Sequence, residues 1–399
     1  MANINIKLEG KSTIVGTFIP VGSRNEPDNI KGISHFLEHM LFKGTKNRNM
    51  TEIKQAIDKY GAVFNAWTSE EHTFFYVVIS NKYVSEARQI IDDMIENSIF
   101  PEEELEKEKQ VVLQELEMYE DNPQSAVFEL AQREIFSEGS NLHIPIIGTR
   151  ESVTDITRDI LVEYYNKHYK NAIKLEIGGT VREARNRVYI ASQFKQESVT
   201  YDTQDVISYR NDISQANMVM TGLFHINNLR ERLIMDLFES VINGFCGRFF
   251  EVIREKNNLV YSTALYLQEH SCGTVHYCGY AGLKPEKVQF AKELMLEQLT
   301  KEVSQEELDF AKGKLIGGHE LAIDKPSNIA RILIDCSLNN TDYEFYLREY
   351  EKSIKTISVE EVNNFIKTIG FKDSKLVAIL PRKKKWVNIR TAQSFSKKF

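Results

Sequence analysis

The sequence is poor in cysteine and has no long apolar run. Its four cysteines, Cys246, Cys272, Cys278 and Cys336, all fall in the second half, and none belongs to a C-x-x-C pair. Such spacing indicates neither a thiolate metal site nor a disulfide framework. We therefore expect small buried thiols in a reducing compartment. No stretch of about 18 consecutive apolar residues is present, so we expect no transmembrane helix.

The sequence also has no apolar leader segment and no excess of positive charge. Residues 1–7 lack the apolar h-region of a secretory signal. The formal net charge of −7 gives no attraction for nucleic acid and weakly favours cationic partners. We expect a cytoplasmic protein that binds neither nucleic acid nor membrane. With 399 residues and 42% hydrophobic content, the chain is long enough for two or more domains.

One short motif carries most of the chemistry. His35-Phe36-Leu37-Glu38-His39 has the order H-x-x-E-H, and positions i, i+3 and i+4 share one face of a helix. Two imidazoles one turn apart can bind zinc, and a carboxylate beside them can take a proton from a water held by the metal. This order is typical of the inverzincins. The alternative is an ordinary helix with two histidines. The apolar flanks disfavour it, because polar groups on a buried helix need partners.

A second predicted helix, from Pro101 to about Tyr119, offers candidates for a third metal ligand. Glu108 and Glu115 lie seven residues apart, or two turns, on the same face. One would bind the metal and the other would fix an imidazole. Spacing alone does not choose between them. It also leaves open that both are solvated, because this helix is rich in glutamate.

The second half of the chain repeats the pattern of the first. Residues 304–320 align with residues 101–117, an offset of roughly 200 residues that indicates a domain-scale duplication. On this alignment Ala311 and Gly318 take the places of the two glutamates, and no second H-x-x-E-H occurs. Only the first half therefore keeps the candidate metal ligands.

The alternation of strands and helices predicts an α+β fold. We expect two homologous domains, each a mainly antiparallel β-sheet with helices packed on one face. A zinc-binding domain is expected at residues 1–181, and a polar linker at residues 182–205. A homologous domain without zinc ligands is expected at residues 206–399.

The chain resembles the pitrilysin/insulysin family of zinc metallopeptidases, which includes the mitochondrial processing peptidase. The resemblance covers nearly the whole chain and is greatest to the short two-domain bacterial members. It is carried by Gly-Ile-Ser-His-Phe-Leu-Glu-His-Met-Leu-Phe-Lys-Gly-Thr at 32–45, by Phe-Asn-Ala-Trp-Thr at 64–68 and by Ile-Gly-Thr at 147–149.

The resemblance implies one Zn²⁺ per chain. It makes His35, His39 and Glu115 the ligands, Glu38 the catalytic base, and Glu108 the residue that orients the site. The spacing of the two glutamates left that choice open, and the family pattern decides it.

The resemblance also assigns roles to residues that we would otherwise regard as ordinary. Tyr261 would stabilise the oxyanion and Arg254 would hold the substrate main chain, since a phenol and a guanidinium are good donors to negative charge. Asn65 and Ala66 resemble the edge strand on which the family lays its peptide substrate. Members of this size form clamshell dimers, so Arg254 and Tyr261 would complete the site of the other subunit. A homodimer is expected, and a heterodimer with a paralogue that lacks zinc ligands is the rival.

The sequence therefore predicts a zinc-dependent endopeptidase that cuts short or unfolded peptides inside a dimeric chamber. One alternative is a non-catalytic structural or binding subunit of a heterodimeric peptidase. Another is a maturation protease dedicated to one leader peptide.

Three segments depart from the family pattern. The N-terminus leaves little room for a strand before Ser12, which would leave a sheet edge open. Residues 243–250 keep only part of the family's glycine-rich turn. The basic residues 382–386 have no counterpart, and we expect them to be solvated.

Overall fold

The chain forms two five-stranded sheets, one in each half. The computed structural model describes residues 3–179, 181, 190 and 194–382. The strands of the first sheet are Asn3–Lys7 (β1), Ser12–Ile19 (β2), Val63–Thr68 (β3), Thr73–Ser80 (β4) and Ile173–Gly178 (β5). Those of the second are Val206–Arg210 (β6), Ala216–His225 (β7), Val260–Glu269 (β8), Thr274–Leu283 (β9) and Lys375–Pro381 (β10).

The two sheets have the same topology. The first runs β1-β5-β2-β4-β3 and the second β6-β10-β7-β9-β8. In each sheet the first-named pair is parallel and the others are antiparallel. The predicted α+β fold of two homologous, mainly antiparallel sheets is confirmed.

Each half surrounds its sheet with helices. Those of the first half are Ile33–Leu41 (α1), Met50–Asp58 (α2), Val84–Asn97 (α3), Glu102–Asp121 (α4), Pro123–Ile135 (α5), Arg150–Asp155 (α6) and Arg158–His168 (α7). Those of the second are Leu229–Ile242 (α8), Val288–Thr300 (α9), Gln305–Ile323 (α10), Pro326–Leu338 (α11), Tyr343–Arg348 (α12), Tyr350–Lys355 (α13) and Val359–Ile369 (α14), with a π-helical segment at Phe249–Lys256. No helix in the described part of the chain is both long and apolar enough to cross a bilayer.

The expectation that too little chain precedes Ser12 for another strand, so that the edge at β5 stays open, is wrong. Residues Asn3 to Lys7 form β1, which pairs with β5 from Asn3 against Lys174 to Lys7 against Gly178. The strict alternation of this segment places Ile4 and Ile6 on the buried face. Five residues are therefore enough to cover the edge.

The two halves exchange a helix. One face of the first sheet packs on α1 and α3 of its own half, and α4 packs on α1. The other face is covered by α11 of the second half, whose Ile329 and Leu333 share a buried cluster with Phe18 and Leu175. Helix α5 of the first half covers the second sheet in the same way. The sequence prediction accounted for only one helical face of each sheet.

The predicted linker, residues 182–205, lies partly outside the described residues, as do residues 383–386 of the basic segment. The described part of the linker includes Lys195 and Glu197, which both contact Arg24 in the first half. Glu197 N also donates to Oγ1 of Thr274 in the second half at 3.0 Å, so this part of the chain contacts both halves.

Candidate metal centre

Helix α1 carries the H-x-x-E-H motif and is fixed at its first turn. Gly32 precedes it with a φ of 88°, and a Cβ there would lie 2.4 Å from the carbonyl oxygen of Ile147. Only glycine is compatible with both conditions. The carboxylate of Glu26 accepts hydrogen bonds from Gly32 N and Ser34 N, each at 2.7 Å. Burial raises the pKa of Glu26 to about 7, although these two bonds oppose the rise.

Helix α4 brings its glutamates to α1. Its Val112 and Leu116 lie in the same buried cluster as Leu37 of α1. Because Glu108 and Glu115 lie on the neighbouring side of α4, both carboxylates reach the histidines. Packing between the two helices therefore brings Glu115 near Nε2 of both histidines and Glu108 to Nδ1 of His39.

The structure brings His35, His39 and Glu115 together. Oε2 of Glu115 lies 3.8 Å from Nε2 of His35 and 3.6 Å from Nε2 of His39. The possible ligand atoms of the three residues all lie within 4.8 Å of one another. This is the one group of at least three His, Cys, Asp or Glu side chains with this geometry among the residues that the structure describes.

The three side chains fit a zinc ion. Two imidazoles and one carboxylate are a donor set of catalytic zinc sites, and ligands bound at about 2.0–2.1 Å to a tetrahedral ion lie roughly 3.4 Å apart. The Nε2–Oε2 distances of 3.8 and 3.6 Å are close to that value and too long for hydrogen bonds. Burial lowers the pKa of His35 to about 3, so its ring is neutral, as metal binding requires.

Glu108 orients the second histidine. Its Oε1 lies 2.9 Å from Nδ1 of His39, and its other oxygen pairs with the ammonium of Lys43. Burial would raise the pKa of Glu108, but these two contacts outweigh it and lower the pKa. Burial would likewise lower the pKa of His39, but the contact with Glu108 and the charges of Glu115 and Glu38 outweigh it and raise the pKa.

Glu38 points to the same cavity as the three possible ligands. The cavity has a volume of about 630 Å³ and is lined by all four residues together with part of β3. Oε2 of Glu38 accepts a 2.6 Å hydrogen bond from Oγ1 of Thr68. Burial raises the pKa of Glu38, and the bond from Thr68 opposes that rise.

The predicted substrate residues lie on an edge strand beside this cavity. Strand β3 pairs with β4 on one side only, as the last strand of its sheet. Ala66 lines the cavity, whereas Asn65 is exposed. Oδ1 of Asn65 accepts a 2.9 Å hydrogen bond from Ala66 N.

Arg254 and Tyr261 lie in the second half of the chain, far from this cluster in sequence. Arg254 lies in the π-helical segment, where its guanidinium is 4.6 Å from the centre of the Phe250 ring. It is not among the described residues that line the metal cavity. Tyr261 belongs to β8 next to an irregularity in register, and its side chain lies outside what the structure describes.

Three residues at the site were missed by the sequence reasoning. Glu26 caps α1, Lys43 pairs with Glu108, and Thr68 binds Glu38. Lys43 follows His39 by one turn and carried a usable signal, because a cation at that spacing faces the same neighbouring helix. Glu26 and Thr68 meet α1 only through the tertiary fold, so their spacing in the sequence gave no signal.

The site combines an H-x-x-E-H helix with a glutamate from a neighbouring helix, and all of these residues line one cavity. This arrangement defines a metallopeptidase-type site of the inverzincin class. Comparison with known families agrees. Residues 5–150 match the family described as "Insulinase (Peptidase family M16)", and residues 187–315 match "Peptidase M16 inactive domain". The chain belongs to peptidase family M16, which confirms the resemblance drawn from the motifs.

Similar proteins extend over most of the chain. A protein of Rickettsia bellii named "Uncharacterized zinc protease" is 32% identical over 332 residues, which are 79% of each chain. "Uncharacterized zinc protease YmxG" of Bacillus subtilis is 26% identical over 404 residues, or 95% of this chain and 96% of that protein.

Solved structures share the fold. A protease from Helicobacter pylori superposes with a TM-score of 0.83 at 20% identity, covering 95% of this chain and 96% of that one. A Pseudomonas fluorescens structure described as a peptidase M16 inactive domain gives a TM-score of 0.82 at 16% identity, with the same coverage.

Proposed function

We propose that this chain is a zinc-dependent endopeptidase that hydrolyses short or unfolded peptides. The observation that carries the proposal is the shared cavity in which Glu38 stands beside His35, His39 and Glu115. A structural subunit has no need for a carboxylate base beside a complete set of zinc ligands. The names of the relatives as zinc proteases support the same activity.

His35, His39 and Glu115 would hold one zinc ion per chain. When bound, zinc acidifies a coordinated water and polarises the carbonyl of the scissile bond. Glu38 would receive the proton of the attacking water and later deliver it to the leaving amine. Thr68 donates to Oε2 of Glu38, which leaves both lone pairs of Oε1 available to receive the proton. Glu108 keeps the proton of His39 on Nδ1 and thereby leaves Nε2 free to bind the metal.

The peptide would bind as an added strand along β3. Its main chain would lie against the open edge at Asn65 and Ala66, in the manner of β-augmentation. An extended, unfolded segment can pair with this edge along its length, whereas most main-chain groups of a folded protein are already paired. This preference supports peptides rather than native proteins as substrates.

A dimer would complete the site. Arg254 is outside the metal cavity of its own chain, so we propose that Arg254 and Tyr261 reach the oxyanion and substrate main chain in the partner subunit. A homodimer suffices, because one chain carries both the zinc set and this pair. A heterodimer with a zinc-less paralogue and a role in maturing a single leader peptide remain the rival proposals.

The test is hydrolysis of a pooled set of fluorogenic peptides by the purified protein and by Glu38→Gln. Cleavage by the wild type that a chelator abolishes and that the variant lacks would support the proposal. Protein that contains no zinc and cleaves nothing would overturn it. Protein that contains zinc but cleaves nothing from the pool would contradict a general peptidase and favour a dedicated or heterodimeric one.

A further inference from the structure

We propose that Thr68 is a positioning residue for Glu38, and that the turn at residues 69–72 keeps it in place with help from the second half of the chain. The inference rests on the proposed function for its catalytic consequence. Its structural part, the orientation of the Glu38 carboxylate, can be measured separately.

The contact between the two side chains is short and directional. Oγ1 of Thr68 donates to Oε2 of Glu38 at 2.6 Å, within the range of strong hydrogen bonds to a charged acceptor. Thr68 is the last residue of β3 and pairs with Thr73 of β4. Its branched side chain has few rotamers available, so the strand fixes where the hydroxyl points.

The turn that follows Thr68 is fixed by its own side chains. Ser69 N donates to the carbonyl of His72 at 2.8 Å, which closes the turn. Trp67 Nε1 donates to Nε2 of His72 at 3.0 Å, so the ring proton sits on Nδ1 and faces Oγ of Ser69 at 2.7 Å. Burial lowers the pKa of His72 to about 4, which keeps the ring in this neutral form.

Both halves of the chain hold this turn from outside. Arg24 N donates to the carbonyl of Glu70 at 2.7 Å, and the Arg24 guanidinium pairs with Glu71 at 2.7 Å. From the second half, Ser271 N donates to Oε2 of Glu71 at 2.9 Å, and Gln268 Nε2 donates to Oε1 of Glu70 at 2.6 Å. The tip of the β8–β9 hairpin therefore braces the turn that carries Thr68.

A fixed Oε2 gives Glu38 a defined orientation. Without the hydroxyl, the carboxylate can rotate about its terminal bond, and the fraction of time spent in the productive geometry falls. A small misplacement of a catalytic group can cost about 100-fold in rate. We expect Thr68→Val to lower kcat by about 10- to 100-fold with little change in KM, because the hydroxyl contacts the base.

The test compares Thr68→Val with Thr68→Ser. Valine keeps the branched shape and the strand preference but removes the donor, whereas serine keeps the donor. Thr51→Val, on the exposed face of α2, is the matched control. For each protein we would measure kcat, KM and zinc content, and determine a crystal structure that resolves the carboxylate of Glu38.

The expected result is a displaced Glu38 carboxylate and a reduced kcat in Thr68→Val alone, with zinc content unchanged. Recovery by Thr68→Ser would exclude a general effect of altering β3. An undisplaced Glu38 in Thr68→Val, or a kcat equal to that of Thr51→Val, would overturn the inference. If the wild type itself cleaves nothing, the proposed function fails, and the position of Glu38 in the crystals still decides whether Thr68 positions it.

Discussion

Nδ1 of His39 lies 2.9 Å from Oε1 of Glu108, and Nε2 of the same ring faces Glu115 at 3.6 Å. In the neutral ring, the carboxylate acceptor holds the proton on Nδ1, so Nε2 presents its lone pair. Glu108 therefore determines which nitrogen of His39 can bind a metal. Lys43 holds Glu108 from the other side, and the three residues form one connected unit.

Replacing Glu108 with Gln should weaken zinc binding by about 10- to 100-fold. The amide is neutral, so it no longer stabilises the Nδ1 proton of His39 and leaves the Lys43 ammonium without its counter-ion. Competition with a coloured chelator would measure the affinity. Glu103→Gln, an exposed change in the first turn of the same helix, should bind zinc as the wild type does. Equal affinities for the two variants would contradict the role of Glu108.

Replacing Glu38 with Gln should remove most of the hydrolysis while leaving the metal in place. A general acid–base group contributes about 100- to 10,000-fold in rate, and glutamine cannot accept the proton. The measurement is kcat alongside zinc content determined on the same sample. Loss of zinc together with activity would show that Glu38 acts through the metal site rather than as a base.

Replacing Arg24 with Met should destabilise the whole molecule. Arg24 is buried and pairs with Glu71 and Glu197, each at 2.7 Å. Its loss leaves two carboxylates without a cation, which we expect to cost about 3–5 kcal/mol in the free energy of unfolding.

The control for Arg24 is Arg150→Met. Arg150 pairs with Glu117 at 3.1 Å, and both side chains are about half exposed, so its loss should cost about 0–1 kcal/mol. Urea denaturation of both variants would compare the two costs. Similar costs would mean that solvent reaches the Arg24 pairs more freely than their burial indicates.

Mixing Glu38→Gln chains with Tyr261→Phe chains should restore activity if the site is shared between subunits. Each mixed dimer then holds one complete site, and random reassociation should recover roughly a quarter of the wild-type rate. The mixture would be assayed after the dimers have been dissociated and reassociated. Each variant reassociated with itself provides the baseline, and a mixture no more active than that baseline would place the whole site within one chain.

The sequence was most informative where the evidence is local. The helical period alone predicts that the two histidines and the glutamate of the H-x-x-E-H motif lie on one face of a helix. The structure has that helix, α1, at Ile33–Leu41. The same holds for the first turn of α4, where three glutamates meet the positive end of the helix dipole after Pro101.

Contacts between segments that are distant in the sequence could not be predicted from the spacing of residues. The choice between Glu108 and Glu115 depends on how α4 packs against α1, and only the family resemblance decided it in advance. Thr68 reaches Glu38 across the space between a strand and a helix, which no periodicity describes. The missed strand β1 had a clear alternating pattern, but its short length hid that signal.

Because α11 lies far along the chain, the sheet face that it covers stays open during much of the protein's synthesis. The outer face of the first sheet is complete once β5 has been made, yet the helix that covers it, α11, ends only at Leu338. At about 5–20 residues per second, the ribosome needs roughly 10–30 s to make the intervening chain. During that interval the nascent first domain carries an uncovered apolar face that includes Phe18 and Leu175, and transiently exposed apolar surface of this kind favours aggregation.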